Sequence, residues 1–324
     1  MELGYIAKIL IYGDLHLSSK GYGAHRDYPK ESLHYFKVIT QKAKEYEATH
    51  LIGTGDLTYG RFNSLEYRES VDRELVEQYK LVKGNRYEIK GNHDEASYGM
   101  TEYDYYINKG IIKGATNIKI GKVNISMVNY GEHETTDILD ASKEDEINVV
   151  IAHDFFKFKD TRLADYGNAI YLDEFEKWFG VDYLICGHVH NHEMFEGLVV
   201  KDGKGHRMVV TYVGCLARPA YRAGHMDETG HLVLLTIEEN GDMQYDLLDI
   251  PLWDLKDSFN MELKESELER KEEKKQRVDL SDIVNELNNH KRSVGNPEDI
   301  IQALEGVDDK YKKKAIQLLK SANA

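Results

Sequence analysis

Short apolar runs alternate with longer amphipathic segments along much of the chain. The runs are β-prone, each gives way to glycine or a polar residue, and they comprise residues 6–12, 50–54, 86–89, 148–152 and 183–186. Between the first three runs, residues 31–48 and 65–82 place apolar side chains at helical spacing. Strand–helix–strand units of this kind predict parallel neighbouring strands whose carboxyl ends share one edge of a sheet. The chain is therefore predicted to adopt an α/β fold.

Polar clusters follow these five runs, at the point where each run ends. They contain Asp14 and His16, then Asp56, then Asn92, His93 and Asp94, then His153, and finally His188 and His190. A single cluster of this kind is compatible with a helix cap or an ordinary polar loop. Five clusters at the same position relative to a strand indicate a built site, because parallel strands bring their carboxyl ends together.

The residue types in these clusters favour metal binding. In an extended chain, His188 and His190 project to the same side, because side chains alternate with period two. Asp, Asn and His without a cysteine ligand form an oxygen and nitrogen environment that suits Mn²⁺, Fe²⁺ or Zn²⁺. Seven candidate ligands are too many for one ion. Two ions bridged by a carboxylate, the arrangement used for displacement at phosphorus, account for all of them.

Composition indicates a globular protein and restricts its partners. Charged residues make up 31% of the chain, and no apolar run approaches the roughly 20 residues that a membrane span needs. The formal net charge of −15 argues against coating nucleic acid by charge alone, although carboxylates at a metal site contribute to it. The first residues lack signal-peptide features, and Cys186 and Cys215 lie in apolar surroundings. We therefore expect reduced cysteines and a cytoplasmic location.

The order of the motifs resembles the calcineurin-like metallophosphoesterase superfamily. The motifs lie within residues 6–250 and are Asp14-x-His16, Gly55-Asp56, Gly91-Asn92-His93-Asp94, His153 and Gly187-His188-x-His190. The fourth departs slightly from the usual pattern, since Ala152 precedes the histidine. The resemblance implies a four-layer αββα sandwich, in which two mixed β-sheets are flanked by helices, with a small C-terminal helical tail.

The resemblance also implies a role for each motif residue. Asp14, His16 and His190 would bind one divalent metal ion, Asn92, His153 and His188 the other, and Asp56 would bridge the two. Mn²⁺ is the expected metal, with Fe²⁺, Zn²⁺ or Mg²⁺ as alternatives. Metal-bound hydroxide would attack phosphorus, while His93 would assist the leaving oxygen as general acid with Asp94 orienting it.

Three motifs are most similar in sequence to those of the SbcD-type DNA repair nucleases. They are Asp14-Leu15-His16-Leu17, Gly55-Asp56-Leu57 and Gly187-His188-Val189-His190. The likeness implies a metal-dependent phosphoric ester hydrolase that cleaves DNA in repair, recombination or replication. An alternative, favoured by the acidic charge, is a small-molecule phosphodiesterase or phosphatase acting on nucleotides or cyclic nucleotides. A third reading is a metal-bound scaffold, against which the intact His93 argues.

Three arginines in loops near the motifs are candidates for holding substrate phosphates: Arg61, Arg218 and Arg222. Aromatic residues after the third motif, at positions 98, 103, 105 and 106, could stack on bases, although core packing is the simpler interpretation.

The last part of the chain differs from the rest in composition. Residues 231–237 and 243–250, joined through Asn240-Gly241, predict a hairpin that completes a catalytic domain of residues 1–255. Residues 256–279 read as a charged linker or helix, and residues 280–324 as a module of short amphipathic helices. These helices either dock on the core or bind a partner. In the resembled family such a tail binds an SbcC-type, SMC-like ATPase, and a homodimer is expected there.

Overall fold

Two mixed β-sheets organise the part of the chain that the structure describes. This computed structural model describes residues 5–21, 24–59, 63–95, 99–139, 145–163, 168–218 and 229–260, together with residues 262, 312, 313 and 316. The chain divides into two compact units, Met1–Asn260 and Met261–Ala324. The charged segment and the helical module predicted for residues 256–324 lie almost entirely outside the described residues. The domain boundaries at 255 and 279 therefore stay predictions.

The first sheet contains β1 (Tyr5–Tyr12), β2 (His50–Gly53), β3 (Arg86–Glu88), β12 (Thr229–Glu238) and β13 (Met243–Pro251). Its strand order is β13-β12-β1-β2-β3. β1, β2 and β3 run parallel, as predicted, while β12 pairs antiparallel with β1 and β13. The β12–β13 turn has Gly241 at a φ of 91°, which glycine adopts without strain. This confirms the predicted hairpin.

The second sheet contains β4 (Asn117–Ile120), β5 (Val123–Val128), β6 (Ile147–Ala152), β9 (Tyr183–Cys186), β10 (Glu193–Lys201) and β11 (Lys204–Tyr212). Its strand order is β10-β11-β9-β6-β5-β4. The four inner strands run parallel, and the two edge strands, β10 and β4, are antiparallel to their neighbours. Two short strands, β7 (Phe156–Lys157) and β8 (Ile170–Tyr171), pair with each other.

The described residues contain the helices α1 (Tyr28–Glu45), α2 (Leu65–Leu81), α3 (Glu102–Asn108) and α4 (Leu255–Ser258). α1 begins before the predicted residue 31, because the Asp27 side chain caps it by accepting from the backbone N–H of Lys30 at 3.2 Å. Pro29 in the first turn supports the same start. Within the described residues, no helix is both long and apolar enough to span a membrane.

Apolar side chains fill three layers around the two sheets. One layer lies between the sheets and includes Ile9 of β1 and Ile151 of β6. α1, α2 and α3 pack on the other face of the first sheet. The outer face of the second sheet packs on Trp178 and neighbouring aromatic residues, in a stretch with 3-10 helices at Leu172–Glu174 and Glu176–Trp178. The predicted two-sheet sandwich is confirmed, and among the described residues short 3-10 helices rather than α-helices lie on this outer face.

The two cysteines belong to the buried part of the structure. Cys186 and Cys215 are both free, as predicted. Burial raises the pKa of each thiol well above its usual value, which keeps both in the unreactive protonated form at neutral pH.

A buried polar network lies beneath the carboxyl ends of β1, β2 and β3. The Arg86 guanidinium is fully buried and donates to the Glu88 carboxylate at 2.8 Å and to the Gln78 side chain at 3.0 Å. It also donates to the Tyr12 hydroxyl, which in turn donates to Glu88. Burial raises the pKa of Glu88, while the charge of Arg86 opposes that rise. Each partner therefore offsets the cost of burying the other.

We predict that Arg86→Met will destabilise the protein by about 3–5 kcal/mol, because it leaves the Glu88 charge buried without its partner. Urea denaturation followed by circular dichroism measures the change. Lys109→Met is the control, since Lys109 is partly exposed and forms a surface ion pair with Asp72. Equal midpoints for the two variants would contradict the prediction.

Candidate metal centre and active site

The carboxyl ends of β1, β2, β3, β6 and β9 meet at one rim of the sandwich. The first three strands belong to one sheet and the last two to the other. The loops that leave these ends carry all seven predicted ligands, and the structure brings them together. Three trios of side chains could each hold a metal ion, because the candidate ligand atoms within a trio all lie within 4.8 Å of one another. The trios are Asp14-His16-His190, His16-Asp56-His93 and Asp14-Asp56-His153.

The first predicted ligand group converges on a single point. The Nε2 atoms of His16 and His190 face each other at 3.0 Å, and His190 Nε2 lies 3.7 Å from Asp14 Oδ2. Burial lowers the pKa of His16 to about 4, so its imidazole is neutral at neutral pH. Two imidazoles and a carboxylate aimed at one point form an arrangement that a divalent cation satisfies.

The second predicted group surrounds the side-chain oxygen of Asn92. That oxygen lies 3.1 Å from His153 Nε2 and 3.0 Å from His188 Nδ1. The other ring nitrogen of His153 lies 2.8 Å from the backbone oxygen of Thr54, to which it donates. This bond fixes the orientation of the ring and leaves Nε2 as the nitrogen that a metal ion could bind, as second partners of metal-binding histidines do.

Asp56 lies between the two groups. Its Oδ1 accepts from the backbone N–H of His93 at 2.8 Å. Its Oδ2 lies 3.7 Å from His16 Nε2 in the first group and 3.4 Å from His153 Nε2 in the second. One carboxylate oxygen thus faces both groups, which is the geometry that a bridging ligand requires.

The charges of the site favour an added cation. Burial raises the pKa of Asp14 well above its usual value. Burial would lower the pKa of His153, but the adjacent Asp56 and Asp14 carboxylates raise it to about 10. Burial also opposes the charge of Asp56, yet His153 lowers the pKa of that carboxyl. In the chain by itself the carboxylates therefore hold a proton on His153, and a bound metal ion would take its place.

Three predicted ligands have left-handed backbone conformations. His16, Asp56 and His188 have φ values of 48°, 53° and 78°. Side chains with a Cβ rarely adopt this region, and such residues cluster at functional sites where the surrounding structure enforces them. The enforcement is visible here, because the backbone oxygen of Asp56 accepts from the N–H groups of Leu15 and His16 at 3.2 and 2.8 Å. The first two motif loops therefore hold each other in place.

Glycines give the converging side chains the space they need. A Cβ on Gly187 would lie 2.6 Å from both Asp14 Oδ1 and His153 Nδ1. A Cβ on Gly91 would overlap Asp56 Oδ1. The motif glycines are therefore required by the close approach of ligand atoms to the backbone.

Comparison with known proteins identifies the family of this fold and site. A family model described as calcineurin-like phosphoesterase matches residues 7–192. The chain belongs to the calcineurin-like phosphoesterase family. No curated protein is similar enough in sequence to be matched to it.

Two solved structures are similar to this phosphoesterase. One is a dimetal phosphatase from Danio rerio, with 10% identity, coverage of 77% of this chain and 100% of that chain, and a TM-score of 0.45. The other is Vps29 from Chaetomium thermophilum, with 13% identity, coverage of 77% of this chain and 100% of that chain, and a TM-score of 0.31.

His93 borders the ligand groups of the phosphoesterase without being enclosed by them. Its ring is half-buried and lies within 4.9 Å of the His16 ring, centroid to centroid. Tyr59, which is 39% exposed, stacks on it at 4.7 Å. His93 therefore lies beside the predicted metal ligands with part of its ring open to solvent.

Asp94 occupies a different position from the one predicted. Its Oδ1 accepts from the backbone N–H and the hydroxyl of Thr58, both at 3.1 Å, and its Oδ2 accepts from the N–H of Gly91 at 3.1 Å. Because both oxygens are used to join the second and third motif loops, the expectation that Asp94 orients the His93 imidazole is not supported. Asp94 positions the backbone that carries the ligands.

The loop after β5 contributes residues that the sequence analysis missed. The Tyr130 ring stacks on His188, with centroids 6.1 Å apart, and its N–H donates to the backbone oxygen of Lys90. His133 Nδ1 lies 3.1 Å from Oδ2 of Asp154, the residue that follows the predicted ligand His153. β5 is parallel to β6, so its carboxyl end reaches the same rim. That position was the only available signal, since the loop carries none of the family motifs.

Of the three arginines predicted to bind phosphate, Arg218 lies in the described part of the chain. The Arg218 guanidinium donates to the backbone oxygen of Trp253 at 2.5 Å and to the Ser258 hydroxyl at 2.8 Å. It also lies 3.7 Å from buried Glu31. These contacts hold one end of the guanidinium against Trp253 and Ser258, and the binding of substrate by Arg218 stays a prediction. Arg61 and Arg222 lie outside the described residues. Of the aromatic residues considered for base stacking, Tyr103 and Tyr106 are buried in the core.

We predict that Gly91→Ala will weaken divalent-metal binding at least about tenfold and destabilise the fold by about 1–3 kcal/mol, because the new methyl group displaces Asp56. Isothermal titration with Mn²⁺ on protein checked by circular dichroism measures the affinity. Gly21→Ala is the matched control, since a Cβ there meets nothing within 4 Å. Unchanged Mn²⁺ affinity in Gly91→Ala would contradict this assignment of space.

Proposed function

We propose that the chain is a two-metal phosphodiesterase that cleaves DNA, similar in function to the SbcD-type nucleases. The observation that carries the proposal is the position of Asp56 Oδ2 between His16 Nε2 and His153 Nε2, with His93 beside them. Two divalent ions at the two groups would polarise a phosphoryl oxygen and activate water. Mn²⁺ is the ion we propose, because the ligands combine carboxylate, amide and imidazole groups.

The protein's own residues divide the remaining work. Asp14, His16 and His190 would hold one ion, and Asn92, His153 and His188 the other. The backbone N–H of His93 fixes Oδ1 of Asp56 and leaves Oδ2 for the ions. The His93 imidazole, which is half-buried at the edge of the site, would give a proton to the leaving oxygen.

Tyr59 would keep the His93 ring in that position. It stacks on His93 with an interplanar angle of 30° and also meets the His16 ring at 5.8 Å. A partly exposed aromatic face beside the reacting centre also suits contact with a nucleic acid base.

DNA is the proposed substrate because three motifs resemble those of the SbcD-type nucleases in sequence. A small-molecule phosphodiesterase is the second candidate, favoured by two observations. The net charge of −15 repels a polyanion, and the Arg218 guanidinium is held by protein groups. The two candidate functions differ in the size of the substrate, since DNA would extend well beyond the metal centre and a small molecule would not.

We predict that His93→Ala will lower kcat toward bis-p-nitrophenyl phosphate by about 10²–10⁴-fold while metal content stays unchanged, because it removes a proton donor and no ligand. Steady-state kinetics and metal analysis of the same preparation measure the two quantities. His34→Ala, at an exposed histidine on α1, is the control. Loss of one metal equivalent in His93→Ala would instead make His93 a ligand.

Substrate class can be decided by competition. Incubation with Mn²⁺ and either single- or double-stranded DNA should yield cleavage that chelation with EDTA abolishes. If cyclic nucleotides and bis-p-nitrophenyl phosphate turn over rapidly while DNA stays intact, the small-molecule candidate is selected.

The remaining partner proposal concerns the end of the chain. We propose that residues 280–324 bind an SbcC-type, SMC-like ATPase, as the tail does in the resembled nucleases. Co-purification of the full chain with such an ATPase, compared with a chain that ends at residue 279, tests this directly. Equal recovery of the ATPase with both chains would remove the proposal.

A further inference from the structure

The edge strand β10 exposes apolar side chains on one face. Among large apolar residues of the described part of the chain, Met194 is 56% exposed, Leu198 is 56% exposed and Val200 is 43% exposed. These residues alternate along β10 and therefore share a face. The opposite face is covered, because Val199 is buried and the Phe158 ring packs over Gly197.

The exposed face of β10 extends beyond the first sheet. Tyr245 of β13 donates to the Thr211 hydroxyl at 3.0 Å and stacks on Tyr183, so the first sheet covers β9 and β11. Met194 pairs with Thr211 and therefore lies on the same face, one strand further out. The apolar side chains of β10 are exposed because the second sheet extends one strand beyond the first sheet, which packs on it.

The backbone of β10 also presents an open edge. Lys201 and Lys204 close a two-residue turn in which Asp202 and Gly203 have φ values of 52° and 76°. In such a turn the closing pair exchanges backbone hydrogen bonds, and every second residue does the same. The residues between them direct their N–H and C=O groups away from β11. These are the exposed positions 194, 196, 198 and 200, which have no other strand beside them within the described residues.

The other edge strands of the two sheets are protected in known ways. β3 has three residues and β4 has four, which is too short to template another strand. β13 carries Asp246 and Asp249 and ends in Pro251. By contrast, β10 has nine residues, no proline and an uninterrupted register with β11. Long, regular and apolar edges of this kind pair with other strands.

We propose that β10 is a homodimer interface in which two copies of this chain pair antiparallel, edge to edge, about Gly197. This register places Glu193 of each copy opposite Lys201 of the other, and Met194 opposite Val200. In this register, each position whose backbone N–H and C=O face outward lies opposite another such position. Moving the register by two residues toward the start of β10 would place Glu196 opposite its own copy, where like charges repel.

The pairing joins the two six-stranded sheets into one continuous sheet. Glu196 enters the interface with its charge already balanced by Arg207 of the same copy, at 2.7 Å. Because the strands are antiparallel and β10 starts just after the ligand loop, the two metal centres lie at opposite ends of the joined strands. Each site stays open to substrate.

The pairing is tested by reversing and then restoring its charges. Sedimentation velocity of the full chain at physiological salt should show a concentration-dependent dimer. Glu193→Lys and Lys201→Glu, each alone, should raise the dimer Kd at least about tenfold, because like charges replace two symmetric ion pairs. The double variant Glu193→Lys/Lys201→Glu should return the Kd to that of the unmodified chain. Lys119→Glu, the same charge change on the opposite edge strand β4, is the matched control.

A second variant tests the backbone pairing independently of charge. Leu198→Pro removes an outward N–H and leaves the bonds to β11 in place, so it should abolish the dimer while thermal unfolding changes little. A chain that is monomeric at every concentration would overturn the proposal. So would a dimer whose Kd is the same in both single-charge variants. Neither result bears on the phosphodiesterase assays, so failure here is distinct from failure of the proposed activity.

Discussion

The position of the Asp56 carboxylate is the constraint on which the rest of the site depends. One oxygen is held by the N–H of His93, and the other faces imidazoles that belong to different sheets. Placing a negative charge there, next to a second buried carboxylate at Asp14, is unfavourable unless positive charge is supplied. In the chain by itself, a proton on His153 supplies that positive charge. The surrounding side chains are arranged so that metal ions would supply more of it.

Much of the local backbone follows from that requirement. The ligand atoms approach so closely that Gly91 and Gly187 have no space for a side chain, and His16 and His188 take up left-handed conformations. Such a backbone is strained and must be held by its surroundings. The Arg86 network directly beneath the strand ends provides a support, since the buried hydrogen bonds among Arg86, Glu88 and Tyr12 join the strands that carry the predicted ligands.

The sequence predicts those parts of the structure that depend on local pattern. The parallel strands, the hairpin at Gly241 and the gathering of the seven ligands all follow from periodicity and from residues placed at strand ends. The direction of the Arg218 guanidinium depends instead on Glu31 and Ser258, which are distant in the sequence. The position of Tyr130 could not be predicted from the sequence, because it depends on the stacking of its ring on His188. The exposure of β10 depends on the relative width of two sheets, which no short stretch encodes.

The arrangement of the ligands gives metal binding a mechanical meaning. Each predicted ion would draw ligands from both sheets: Asp14 and His16 with His190 in one case, and Asn92 with His153 and His188 in the other. An ion at either position would thus join the two sheets directly, in addition to the apolar contacts and the hydrogen bonds that already connect them. Metal occupancy and cohesion of the fold would then be linked, and depletion of the ions would loosen the protein first at the rim where it works.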